Sequence, residues 1–343
     1  MKTRQIILCG AISLFSYTSE TVAQTAMMAK NDSIKPIAVV VPSSFKIGGF
    51  INARFQNSIK GFTPGKDGFE FKNAIVDLTG NYCPTINYRL RVEFAGAPQV
   101  LDAYAEWKPF KYIGLQVGQF QTPFTFENQY VPKTLETTDN SQVITNLVLN
   151  TNGVKNKGRD IGMAINGNLF AMSGYNLLEY KLALLNGNSY NAVDDNSTLN
   201  TLGSIYINPI KPLSIVASYL SGKYGPEATK LDMNRKALGI KYDDGKALFR
   251  AEYLSGKTNN IDAKGYYAVA GYFITKNIQP IVKYDFYQSN SSISTTGTKQ
   301  YVLGLNYWTS NKSRILIDYN YSVSNNPTVK DFMYVTAGLV LAF

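Results

Sequence analysis

The stretch Arg314-Ile315-Leu316-Ile317-Asp318-Tyr319-Asn320-Tyr321-Ser322-Val323 puts Ile315, Ile317, Tyr319, Tyr321 and Val323 at every second position, with Arg314, Asp318 and Asn320 between them. Successive side chains of a strand point to opposite faces, so this stretch carries one apolar and one charged face. The pattern recurs. Tyr88, Leu90, Val92 and Phe94 alternate with Arg89, Arg91 and Glu93; Phe249, Ala251 and Tyr253 alternate with Arg250 and Glu252; Val282, Tyr284 and Phe286 alternate with Lys283 and Asp285. No stretch after residue 44 has a comparably strong helical period. Extended outward, the reading gives sixteen strands, at 45–58, 69–82, 86–95, 100–108, 112–122, 159–167, 175–186, 198–208, 213–221, 233–243, 246–255, 264–275, 279–288, 299–309, 313–323 and 331–343.

Short connections at 83–85, 109–111, 209–212, 244–245, 276–278 and 310–312 alternate along most of the chain with longer ones at 59–68, 187–197, 222–232, 256–263, 289–298 and 324–330. This predicts an all-β chain, a transmembrane antiparallel up-and-down barrel with tight periplasmic turns and longer outer loops. A soluble β-sandwich gives no reason for connection length to alternate, and it leaves edges that a closed barrel lacks. The last strand strengthens the reading. Met333, Val335, Ala337, Leu339, Leu341 and Phe343 form a continuous apolar face for outer-membrane lipid, and a terminal aromatic is a signal for the outer-membrane barrel assembly machinery.

Composition narrows function. The 343 residues include 24 Tyr, 18 Phe and 2 Trp, only 17% are charged, and the formal net charge is +10. Disorder requires the opposite composition, and no apolar run reaches the roughly 20 residues of a membrane-spanning helix. There is no histidine, which excludes Ser-His-Asp and Cys-His triads, His-ligated zinc and imidazole bases. An enzyme is therefore not expected. Asp194-Asp195-Asn196 and Asp243-Asp244-Gly245 lack a full calcium ligand set, so neither a metal nor a cofactor is expected. The basic residues are spread over alternating strands and form no stacking patch for nucleic acid.

Lys2 and Arg4, the apolar run 6–15 and Val22-Ala23-Gln24 follow the order of a secretory signal peptide, expected at 1–23 with cleavage after Ala23. Its removal takes Cys9 and leaves Cys83 with no intrachain partner. Residues 24–44 are expected to be a short periplasmic arm, and 45–343 an outer-membrane barrel.

The connection 123–158, third on the long-loop side, far exceeds the others. Ordered loops of such length are usually functional, and an open sixteen-stranded lumen needs a constriction. This loop is expected to fold into the pore, with Phe124, Glu127 and Lys133 at the constriction. A loop merely shielding the rim is the alternative.

The residues beside it carry a resemblance. Leu101-Asp102-Ala103-Tyr104-Ala105-Glu106-Trp107-Lys108-Pro109-Phe110 leads into Leu115-Gln116-Val117-Gly118-Gln119-Phe120-Gln121-Thr122-Pro123-Phe124-Thr125-Phe126-Glu127, and Gly48-Gly49-Phe50-Ile51-Asn52-Ala53-Arg54-Phe55 opens the first strand. These segments resemble the phosphate-selective porin O and P family. The resemblance implies a trimeric outer-membrane channel whose third loop enters the pore and whose bases guide anions.

Strand parity places Lys46, Arg54, Arg89, Arg91, Lys108, Lys181, Arg235, Lys241, Arg250, Lys283 and Arg314 in the lumen, against Asp77, Glu93, Asp102, Glu106, Asp160, Glu179, Glu252, Asp285 and Asp318. The near balance suggests a mutually compensating lining, with same-face neighbours at Arg91–Glu93, Lys181–Glu179, Arg250–Glu252 and Lys283–Asp285. The pore-lining, anion-binding candidates are Arg54, Arg89, Arg91, Lys181, Arg235, Arg250, Lys283 and Arg314, with Arg54, Arg89 and Arg91 foremost because guanidinium forks suit oxyanions. Tyr112, Tyr219, Tyr242, Tyr253, Tyr307, Tyr321 and Tyr334 are expected in interfacial girdles. The function expected is passive diffusion of small hydrophilic solutes, with anions such as phosphate among them. A surface structural or adhesive barrel is the alternative.

Overall fold

A strand with one apolar and one polar face must hide one of them, and a sheet closed on itself separates the two completely. The computed structural model of the chain describes residues 44–61, 67–151 and 154–343. The expected signal peptide, and the arm apart from Ser44, lie outside them. The strands are β1 (Ser44–Lys60), β2 (Gly68–Cys83), β3 (Ile86–Glu93), β4 (Gln99–Phe110), β5 (Ile113–Gln121), β6 (Asn150–Thr151), β7 (Val154–Lys155), β8 (Arg159–Met172), β9 (Tyr175–Leu185), β10 (Asn200–Ile210), β11 (Leu213–Tyr224), β12 (Leu231–Asp243), β13 (Ala247–Thr258), β14 (Ile261–Tyr272), β15 (Ile278–Gln288), β16 (Gly297–Trp308), β17 (Arg314–Ser324) and β18 (Phe332–Ala342). Among the described residues, sixteen of these form one closed antiparallel barrel, each paired with its neighbours in sequence, and β6 pairs with β7 alone. The barrel closes between β1 and β18, from Phe50↔Ala342 to Lys60↔Met333. Gly49 makes room for that closure, since a Cβ there would sit 2.6 Å from the Phe343 ring and 2.2 Å from the Ile75 carbonyl.

The polarity is inverted relative to a soluble protein. On β17, Ile315 and Ile317 are 43% and 48% exposed, whereas Arg314 and Asp318 are 1% exposed. The apolar side chains therefore face outward and the charged ones inward, as lipid outside and a polar interior require. No helix of the described residues is long and apolar enough to cross a membrane. Most of the expected girdle tyrosines, including Tyr112, Tyr219, Tyr253 and Tyr307, are exposed on the outer face. Tyr334 is a correction: it is buried and its hydroxyl accepts a hydrogen bond from Gln300 Nε2 at 3.0 Å. It alternates with the apolar residues of β18, so it shares the inner face with Thr336.

Candidate functional site: the inner wall and the 122–158 connection

Between β5 and β8 the chain makes two short 3-10 turns (Glu127–Gln129 and Pro132–Thr134), the helix α1 (Gln142–Leu147) and the β6–β7 pair. Pro132 fits the start of its turn, where its missing N–H costs nothing. A six-residue helix is not stable alone in water. Here its free N-terminal N–H, on Gln142, donates to Asp285 of β15 at 2.6 Å. Val143, Ile144, Leu147 and Val148 are buried in one apolar cluster with Phe124, Leu185, Leu202, Leu254, Val269 and Ile281.

The same segment binds strands around the whole circuit. Glu252 of β13 accepts the N–H groups of Phe126 (2.6 Å) and Glu127 (2.9 Å), and Asp318 of β17 accepts that of Thr138 at 2.5 Å. Arg250 of β13 holds Glu136 through two parallel bonds of 2.8 and 2.7 Å, lies 3.4 Å from Glu127 and donates to Tyr267 Oη at 2.8 Å. Its guanidinium also sits 4.4 Å from the Tyr130 ring centre. On the opposite arc, Asp139 accepts from Arg54 of β1 at 2.6 Å and Lys72 of β2 at 2.7 Å. Ser204 of β10 donates to the Pro123 carbonyl. Wall carboxylates thus accept loop N–H groups, and wall bases take loop carboxylates.

Glu127 and Asp139 carry the electrostatics of this attachment. Burial alone would raise Glu127, but the charges of Lys283 and Arg250 and hydrogen bonds from Ser141 outweigh it and hold the carboxyl below its ordinary value. Removal from water likewise opposes ionisation of Asp139, and Lys72 and Arg54 overcome it, placing this carboxyl well below the usual range. Groups with depressed values stabilise the attached state fully above their free values, about 4.3 for Glu and 3.9 for Asp. That contribution is lost only as pH falls through the lower attached values. The contribution of these two groups is therefore expected to be constant from pH 8 to about 5. Measured in planar bilayers, the difference in open-channel noise between the parent and Asp139→Asn should stay constant over that window, and a difference that shrinks within it would contradict the assignment.

The expected pore bases are mostly engaged. Arg54 pairs with Asp139 and Glu70. Arg89 forks onto Asp77 at 2.8 and 2.5 Å, and the buried Arg91 lies 2.7 Å from Asp77 and 3.5 Å from Asp102. Arg235 donates to the carbonyls of Leu147, Asn234 and Lys257 and to Thr258 Oγ1. Arg314 donates to the Leu135 carbonyl and stacks 4.8 Å from the Trp308 ring centre. Lys283 donates to the Asp139 carbonyl at 3.3 Å, and Lys181 to Gln129 Oε1 at 3.3 Å. Of the loop candidates, Phe124 and Glu127 are buried in the attachment, while Lys133 lies 5.8 Å from the Phe50 ring centre and lines open space.

Arg91–Glu93, Lys181–Glu179, Arg250–Glu252 and Lys283–Asp285 are same-face neighbours but not ion pairs within 4 Å among the described residues, and Arg91 and Arg250 pair elsewhere. Residues i and i+2 on a strand stand roughly 6.6 Å apart, farther than cross-strand or loop partners. The sequence reading also missed Lys72, Glu136, Tyr267 and Lys312.

Three adjoining cavities line the wall from the β16–β17 turn through β1 to β9. One of about 250 Å³ is bounded by Lys46, Asp77, Arg91, Lys133 and Lys312. A second, of about 310 Å³, shares Lys46 and Thr79 with it and adds Asn81, Asn87 and Arg89. The third, about 300 Å³, shares Tyr104 and Glu106 with the second.

Polar within, apolar without and closed by sixteen strands, the barrel has the fold of the outer-membrane porins. Residues 45–175 match the family model described as phosphate-selective porin O and P, the family that the 48–55 and 101–127 segments resemble. No curated protein matches the chain. Among solved structures, the anion-selective porin from Comamonas acidovorans is 13% identical, with 88% of this chain and 99% of that one covered and a TM-score of 0.70. The outer membrane channel DcaP of Acinetobacter baumannii is 13% identical over 87% of this chain and 97% of its own, with a TM-score of 0.66. A trimer form of OmpT from Vibrio cholerae is 12% identical over 88% and 99%, with a TM-score of 0.59.

Proposed function

We propose that the barrel is a passive channel for small hydrophilic solutes with a mild preference for anions, narrowed by the 122–158 connection. The observation that carries the anion preference is the cavity where Lys46, Lys133 and Lys312 converge, none of them in an ion pair among the described residues. Removal from water first, then the nearby charges of Lys312 and Arg91, push Lys133 below its ordinary value, and around the cavity Lys46, Lys133, Lys312 and Arg91 outnumber Asp77 to give a net positive field. Such a field raises the local anion concentration. The paired state of Arg54, Arg89 and Arg91 argues against a dedicated phosphate ladder, since a guanidinium already forked onto a carboxylate has fewer donors for an oxyanion. The adhesive alternative is the weaker reading: its long loop should project outward, whereas this one is bound to the wall. The apolar belt suits outer-membrane lipid, and Phe343 suits the assembly machinery. Residues 1–23 supply the export signal in this reading, 24–44 the arm, and a homotrimer like the OmpT trimer form is the assembly we infer.

Zero-current potential under a salt gradient tests the reading. Lys133→Gln with Lys312→Gln is expected to lower the anion-to-cation permeability ratio roughly two- to threefold at low salt and less at 1 M, where screening is strong. An unchanged ratio would remove the lysine cavity from the selectivity mechanism. Arg89→Ala with Arg91→Ala has a different expected signature. It leaves Asp77 without a partner and Asp102 with Arg159 alone inside the wall, so it costs barrel stability as well as anion preference.

A further inference from the structure

The third cavity differs from the lysine-lined one in chemistry. It is bounded by β4, β5, β8 and β9 and by the start of the loop, and Gln116, Gln129, Asn166 and Asn168 supply amides beside Glu106 and Glu179. Its charges compensate. Lys108 lies 3.6 Å from Glu106, Asn166 Nδ2 donates to Glu106 at 3.0 Å, and Lys181 donates to Gln129 Oε1. Asn208 Nδ2 donates to Glu179 at 3.2 Å, leaving the second carboxylate oxygen unclaimed. Gln116 and Asn168 make no side-chain hydrogen bond among the described residues, yet both border this space. Tyr104, its ring held edge-on against Phe120 at 6.5 Å and 86°, adds apolar surface on the same side.

An anion needs donors and no carboxylate, and a cation needs the reverse. Free amides together with carboxylates and lysines present donors and acceptors side by side. The groups that need both at every position are hydroxyls, and an aromatic ring beside them suits the apolar face of a sugar. The volume, about 300 Å³, is at the small end of small-molecule sites. We propose that this arc is a docking site for neutral polyhydroxylated solutes of mono- to trisaccharide size, giving the channel a sugar-conducting side next to its anion-attracting side. The proposal rests on the channel reading above and adds a solute class to it.

Glucose, maltose and maltotriose are added to the purified barrel in a planar bilayer, with a poly(ethylene glycol) of matching hydrodynamic size as control. The expected result is a saturable loss of conductance with excess current noise for maltotriose, stronger than for the polymer. Gln116→Ala with Asn168→Ala is expected to raise the half-saturating maltotriose concentration roughly tenfold, the effect of two hydrogen bonds. Equal effects of sugar and polymer, or an unchanged half-saturation in the folded variant, would overturn the sugar site while the channel stands. No conductance from a folded, heat-resistant barrel would overturn the channel reading, and this proposal with it.

Discussion

Arg250→Met is expected to detach the loop while leaving the barrel closed, and to appear as a larger, noisier single-channel conductance. Arg250 is 1% exposed and gathers Glu136, Glu127, Tyr267 and Tyr130 around one guanidinium. Methionine fills much of the same volume but leaves Glu136 with an uncompensated buried charge. Breaking one partner of such a pair costs roughly 3–5 kcal/mol. That cost falls on the attachment, because Glu136 belongs to the loop and keeps only the more distant charge of Arg314 beside the cavity that both line. The strand is less affected: β13 keeps its backbone register with β12 and β14 from Met233↔Thr258 to Ala247↔Tyr272. Heat-resistant gel mobility should therefore persist. Arg250→Lys should rescue little, since one ammonium cannot replace two parallel bonds and a stacked plane. Adding Glu136→Gln to Arg250→Met should restore part of the native conductance by removing the stranded charge. Conductance equal to the parent's in Arg250→Met would show that this network does not hold the loop.

Why the sequence yields the barrel but not this network follows from range. Alternation is local, so Ile315, Ile317 and Tyr319 announce their face without knowledge of any other strand. The strand ends of the reading consequently fall within a few residues of those observed, as for 213–221 against Leu213–Tyr224. Arg250 and Glu136, by contrast, are separated by more than a hundred positions, and nothing local pairs them. Parity correctly put Arg250 inside, where it reads as a free pore cation unless the loop's path is known. Lys312 escaped for another reason: it lies in a tight turn, where parity has no meaning.

A signal was nevertheless present. Inward positions of a water-filled barrel should be polar, yet Ala183, Leu185, Leu202, Ala237, Leu254, Val269 and Ile281 occupy them. A loop facing water should be polar too, yet 143–149 reads Val-Ile-Thr-Asn-Leu-Val-Leu. Each is an anomaly alone. Together they are the two halves of one apolar contact, and that match locates the loop's seat on β9 to β15. The cavities follow from it. With the apolar half of the interior filled, open space remains along β1 to β9, where the lysines and amides lie.

That apolar seat is the basis of the second large expectation. Ile144→Asp should detach the loop as fully as Arg250→Met, although no ion pair is touched. Ile144 is fully buried, and α1 packs on β13, β14 and β15. Beside it Val143 fits the space left by Gly265, where a Cβ would approach the Val143 Cβ to 2.8 Å. A carboxylate in such a place must be hydrated or neutralised, and hydration is available only if the helix leaves. Ile144→Ala supplies the graded control, losing about 2–5 kcal/mol of packing without adding charge. It should give intermittent rather than permanent widening. If the charged network and the apolar seat hold one rigid loop, either lesion opens the same passage, and Arg250→Met with Ile144→Asp should conduct no more than the stronger single variant. Additive conductance increases would mean instead that the loop detaches in two independent halves, Glu127–Asp139 and α1 each controlling its own part of the lumen.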